Sequence, residues 1–215
     1  MTPADGETYA RNKYNAVNDT FFTQAELLAY MTQACNEIAL ETKCIERVYT
    51  TTSVQGVREI VYPTNTVEVK RVEYAGKKLT KLSFTEDDIL TQYNANTTDQ
   101  GTPVAYEDFN YTIFLRNIPA VTGDTIKVFS INLPAALTIL SSIEIPVIFH
   151  YYLLDYMVAQ MAFKDQNYTA YNSKMEEWEL KKLRAKAQWK RHIRGDRPAM
   201  VKDTDFLPNT YIGLR

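Results

Sequence analysis

Residues Ile145–Lys164 read IPVIFHYYLLDYMVAQMAFK, and the reading of this stretch decides the fold. The spacing predicts a helix of about 20 residues, roughly 30 Å long. Pro146 stands where a first helical turn tolerates a missing N–H, and Glu144 suits the positive end of the helix dipole. Val147, Ile148, Phe149, Tyr151, Leu153, Leu154, Met157, Val158, Met161 and Phe163 cover most of the circumference. A helix so apolar must be packed on several sides or lie in a membrane. His150, Asp155 and Gln160 interrupt the run, and an Asp near the centre costs ~3 kcal/mol to insert into a bilayer. The stretch is therefore expected to be a core helix with two other helices packed on it, and no membrane association is expected.

Working outward, Thr23-Gln24-Ala25-Glu26 fits a capping box, with Phe22 and Leu27 at hydrophobic-staple positions. Leu28, Met31, Cys35 and Ile38 follow as one apolar stripe, so a first helix is predicted from about Thr23 to Glu41. On the other side, Asp165-Gln166-Asn167 breaks the central helix. A third runs from about Tyr168 to His192, with Tyr171, Met175, Trp178 and Trp189 at helical spacing and Gly195 closing it.

Between the first and central helices the pattern is short and β-like. Ile45–Thr52, Val57–Tyr62, Val67–Tyr74, Lys78–Phe84, Val104–Phe109, Tyr111–Arg116 and Thr125–Asn132 are β-branched or aromatic runs bounded by turn residues such as Ala75-Gly76 and Gly123-Asp124. Thr85 is placed to cap a short helix near 85–93, whose leading acids Glu86, Asp87 and Asp88 suit a helix N-terminus better than a metal cluster. The expected fold is α+β: a bundle of three main helices (20–42 and 143–194), an antiparallel β insertion (43–133), a polar N-terminal arm (1–19) and an extended C-terminal tail (195–215).

With 215 residues, 45% hydrophobic and 23% charged, the chain is long enough to bury a real core. The 15 Tyr and 9 Phe serve cores and protein contacts equally well. The opening MTPADGETYARNKY has no apolar run, so no secretory signal is expected, and Cys35 and Cys44 are expected as reduced thiols of a cytosolic setting. The net charge of −2 is unevenly spread: residues 181–215 carry 10 Lys and Arg against 3 acids, while the rest is acidic. Such a split points to a basic end that meets something negative, either nucleic acid or an acidic protein surface. The run from Lys181 to Arg197 is also what a solvated helix face looks like, and no base-reading motif accompanies it.

Catalytic chemistry is hard to find. His150 falls in the core helix and His192 in a basic helix end. There is no Gly-x-Ser-x-Gly, phosphate-cradling glycine loop, HExxH, CxxC or EF-hand pattern. Asp155 is the one polar group expected to be buried, hydrogen-bonded to a Tyr or a backbone donor. No catalytic residue, metal ligand or cofactor is assigned, and the protein is not expected to be an enzyme.

The order of several phrases resembles the head-to-tail adaptor (connector or neck) proteins of tailed bacteriophages over about residues 22–190. These are the capped first helix with Asn36 and Ile38, IERVYTTTSVQGVREIVYP, VKRVEYAGKKLTKLSFTEDD, GTPVAYEDFNYTIFLRNIP, GDTIKVFSINLPAAL, and EIPVIFHYYLLDYMVAQMAFKDQNYTAYNSKMEEW. The leader and the long tail depart from many members, leaving the subclass open, including the tail-tube type of short-tailed phages.

The resemblance implies a structural virion protein at the head–tail junction, assembled in the host cytoplasm. It would form a ring, typically a dodecamer, beneath the portal protein and present a platform to a nozzle or tail-tube protein. It also implies that the C-terminal segment reaches the portal, with Lys190, Arg191, Arg194 and Arg197 pairing with acidic side chains and Phe206, Leu207, Tyr211 and Ile212 as apolar anchors. A tail that orders on its partner loses entropy, which such anchors offset. Lys181, Lys182, Arg184 and Lys186 are instead candidates to line a DNA channel, where transient contact with packaged DNA would be non-specific. The alternative function is a non-specific nucleic-acid-binding module built on the basic helix 181–197.

Overall fold

The computed structural model of the protein describes residues 1–83 and 100–193. The short helix expected near 85–93 and the tail from 195 onward lie outside these residues. Four helices are described: α1 (Pro3–Lys13), α2 (Gln24–Thr42), α3 (His150–Lys164) and α4 (Tyr168–Ile193). Among the described residues, ten strands lie between α2 and α3: β1 (Glu46–Thr52), β2 (Glu59–Val61), β3 (Thr66–Tyr74), β4 (Lys77–Lys78), β5 (Thr80–Lys81), β6 (Gln100–Gly101), β7 (Ala105–Phe109), β8 (Thr112–Arg116), β9 (Ile118–Pro119) and β10 (Thr125–Asn132).

Helix α3 is the hub. Residues Leu153 to Ala159 are buried without a break, because α1, α2 and α4 all pack on it. Its α-helical part begins later than the sequence suggests. Pro146 is extended (ψ 139°), and Val147–Phe149 form a 3-10 turn before His150. Proline thus stands just outside the helix and not in its first turn. The ends of this segment are also less buried than its composition implies: Val147, Ile148, Tyr151 and Phe163 are exposed.

Helix α2 starts at the expected capping box. The Glu26 N–H donates to Thr23 Oγ1 at 3.3 Å, and the Thr23 N–H donates back to Glu26 Oε2 at 2.9 Å. Its buried face is Leu27, Met31, Ala34, Cys35 and Ile38, with Phe22 buried at the staple position. Helix α4 joins the same core through Trp178 and Ala185, with Tyr156 and Trp178 rings 5.2 Å apart.

The residues expected as a polar N-terminal arm (1–19) contain a helix. Thr2 and Asp5 form a capping box, with Pro3 in the first turn, and α1 follows. Its buried face is Pro3, Gly6 and Ala10, residues too small to register as a hydrophobic stripe. At Gly6 the helices approach so closely that a Cβ would fall 2.2 Å from Met31 Cε.

The strands build two four-stranded sheets, ordered β1-β10-β3-β4 and β2-β8-β7-β5, and a two-stranded pair of β6 with β9. Val69, Val72, Ile126 and Val128 of the first sheet share one core with Tyr106, Ile113 and Leu115 of the second, so the two sheets face each other. The expected return after Ala75-Gly76 does not stay in one sheet. It pairs with β3 over two residues and then crosses as β5 to pair in parallel with β7. The protein is therefore a mixed α/β structure with four helices and several sheets among the described residues. It is not a three-helix bundle with one antiparallel β insertion, and two of its strand pairs, β5 with β7 and β6 with β9, are parallel.

Contacts tie the start of β1 and the loop after β10 to the helices. Ile45 belongs to the helical core, Arg47 Nη2 lies 2.6 Å from Glu144 Oε1, and the Leu137 N–H donates to Thr32 Oγ1 at 3.0 Å.

Candidate interaction surface at the basic end of helix α4

The basic helix carries two kinds of cation. Lys181, Lys182 and Lys186 point back into the fold. The Lys181 ammonium donates to Asp155 Oδ2, Lys182 to Glu37 Oε2 at 3.0 Å, and Lys186 to Glu41 Oε2 at 2.8 Å. Glu37 also accepts from Trp178 Nε1 at 2.9 Å. Lys182 and Lys186, one helical turn apart, clamp α4 onto α2, and Lys181 clamps it onto α3.

The titration behaviour follows from this pairing. Burial works against the Lys182 ammonium, but the carboxylates of Glu179 and Glu37 outweigh it and raise its pKa. The Lys186 hydrogen bond holds Glu41 below the usual carboxylate range. Burial alone would raise Asp155, yet hydrogen bonds from Lys13 and Lys181 more than offset this and lower it. The expectation of a Tyr or backbone donor at Asp155 is corrected: two ammonium groups hold it, one of them from the unforeseen helix α1.

Arg184, Lys190 and Arg191 are exposed and make no ion pair among the described residues. Leu180 and Leu183 are exposed beside Arg184 on the outward side of α4. A face that mixes free cations with exposed leucines suits a protein contact whose rim is polar and whose centre is apolar. The two leucines escaped sequence reasoning because Trp178 and Trp189 dominated the helical pattern. Arg194, Arg197, Phe206, Leu207, Tyr211 and Ile212 lie outside the described residues.

His150 is buried, its Nε2 2.9 Å from the Ile145 carbonyl oxygen and its Nδ1 without a hydrogen-bond partner among the described residues. The carbonyl only accepts, so Nε2 carries the proton. Burial pushes its pKa down. Among the described residues, no three His, Cys, Asp or Glu side chains converge to hold a metal ion, and no helix is long and apolar enough to cross a membrane. Cys35 and Cys44 are free thiols, and burial raises the pKa of both.

No curated protein matches the chain in sequence. A model of one family does match, over residues 1–201, and is described as the SU10 adaptor protein family. The match begins at the first residue, so the leader that folds into α1 is within the family's pattern and not a departure from it. The chain belongs to the SU10 adaptor protein family and is a phage adaptor, a structural component of the virion.

Proposed function

We propose that the protein is a head-to-tail adaptor that assembles as a dodecameric ring under the portal protein and connects it to a nozzle or tail-tube protein at the head–tail junction. The family match through residues 1–201 is the observation that carries this reading. The charge distribution supports it: the basic end of α4 projects Lys190 and Arg191 free of partners among the described residues, and Arg194 and Arg197 follow in the chain. These four cations engage acidic portal side chains, and Phe206, Leu207, Tyr211 and Ile212 anchor the segment. Lys181, Lys182 and Lys186 are already bound to carboxylates. Of the DNA-channel candidates, Arg184 alone makes no ion pair among the described residues, so contact with passing DNA is slight and salt-sensitive. The reading assigns no catalysis to the protein.

Truncation after Gly195 tests it. The truncated chain is expected to melt like the full chain and to lose binding to its portal in a pull-down. Undiminished portal binding would contradict the assignment of the tail. Unchanged, salt-dependent affinity for duplex DNA with no portal binding by either chain would favour the nucleic-acid-binding module.

A further inference from the structure

The two sides of the β sandwich differ in how they are finished. On one side, the segment Lys77–Leu82 crosses from the first sheet to the second and closes the edge. Its backbone bonds run from Leu79 to Val72, from Thr80 to Val104 and from Leu82 to Tyr106. Lys77, Lys78, Thr80 and Lys81 are all exposed there. Lysines on a sheet edge are a recognised device against unwanted pairing.

On the other side, strands β1 and β2 carry no lysine. Among the described residues, strand β1 pairs with β10 and has no second neighbour, and β2 likewise pairs with β8 alone. Six of the seven β1 residues are exposed, among them Val48 and Tyr49. Between β1 and β2 the sandwich is open. A cleft of about 420 Å³ lies between Tyr49 and Val61, and another of about 250 Å³ reaches down to the core residues Leu115 and Ile126. Val54, Val57 and Val61 line this side and are exposed, Val61 at 75%. Glu46 stands at the start of β1 and Glu59 at the start of β2. Both are exposed and have no ion pair among the described residues.

Opposite sides of one sandwich therefore carry complementary features. One is a partly apolar opening flanked by the free acids Glu46 and Glu59, whose one lining arginine, Arg47, is paired with Glu144. The other is a ridge on which, among the described residues, Lys77 and Lys78 are free while Lys81 pairs with Asp108. Lysine stems are apolar and can cover Tyr49 and Val61 while their ammonium groups reach the acids. Two lysine ridges repel, so a symmetric face-to-face dimer through the ridge is disfavoured. A contact that joins unlike sides is heterologous and repeats from copy to copy, the kind of contact from which a ring is built when the rotation between copies closes. We propose that the open β1–β2 side of one copy receives the Lys77–Lys81 ridge of the next copy, and that this is a contact by which the ring closes. The proposal rests on the ring reading given above.

Charge reversal on exposed residues tests it by sedimentation of the full chain over a range of concentrations. One variant combines Glu46→Lys with Glu59→Lys, the other Lys77→Glu with Lys78→Glu; melting curves check that both fold. Each variant alone is expected to self-associate roughly tenfold or more weakly than the wild type. An equimolar mixture is expected to regain association, as alternating copies with like-charged sides now face their opposites. Wild-type association by either variant alone, or a mixture that stays apart, would overturn the contact while leaving the ring intact. A wild-type chain that stays monomeric throughout would overturn this contact and the self-assembled ring together.

Discussion

The Lys13 ammonium at the end of α1 lies 2.6 Å from Oδ1 of Asp155, at the centre of α3 and 142 residues away in the chain. Lys181 of α4 donates to the other oxygen of the same carboxylate. One buried acid thus ties three helices together, and the Asp that interrupts the apolar run is there to be met by cations.

Replacing that acid should be costly. Asp155 has 2% side-chain exposure, whereas Lys13 and Lys181 keep 45% and 27% and can rehydrate if released. Asp155→Ala is expected to lower stability by ~3 kcal/mol, and Lys13→Ala by ~1 kcal/mol, because Lys181 still pairs with the buried carboxylate. Urea denaturation of the two variants checks the order, and an equal loss from both would argue against a shared site.

Acid should act on stability in two windows. His150 has its pKa lowered by burial, so below its ordinary value of 6.5 the unfolded chain binds a proton that the folded chain resists. Stability is expected to be full above pH 6.5, to fall as pH drops through the folded pKa, and to level beneath it. His150→Gln should flatten this window. Hydrogen bonds from Lys164 and Thr23 hold Glu26 at about 2, well below its ordinary 4.5. Its contribution is present above pH 4.5 and is lost as pH falls towards 2, as is that of Asp155 below its ordinary 3.8. Thermal melts from pH 8 to 2 on the wild type and the His150 variant separate the windows.

Helix α1 should be sensitive at its small residues. A side chain at Gly6 must displace the end of Met31, a flexible group, so Gly6→Ala is expected to change little. Gly6→Val brings in two further methyl groups and should cost ~2 kcal/mol. The removal of the cap by Thr2→Ala is expected to cost ~1 kcal/mol. Denaturant melts check both. A Gly6→Val protein as stable as the wild type would show that α1 does not pack on α2.

How much of this was readable in the sequence depended on side-chain mass and on distance. The capping box at Thr23 and the run from Leu153 to Met161 announced α2 and α3, because local hydrogen bonding and a broad apolar surface leave a pattern in consecutive residues. Helix α1 left none: its contact face is Pro3, Gly6 and Ala10, and close approach replaces apolar bulk. Strand pairing was only half legible. Alternation at Val69, Val72, Ile126 and Val128 marked the strands, but nothing local says that the chain changes sheets at Leu79. At the basic helix, charge alone could not separate Lys181, Lys182 and Lys186, which face inward carboxylates, from Arg184 and Lys190, which do not. That distinction depends on Asp155, Glu37 and Glu41, remote in sequence.

The most direct test is cryo-electron microscopy of the full chain mixed with its portal protein. The account predicts a ring of adaptor copies seated on the portal, with the segment from Arg194 to Ile212 lying against portal subunits. A portal that stays bare, or a ring whose C-terminal segments touch no portal subunit, would contradict it.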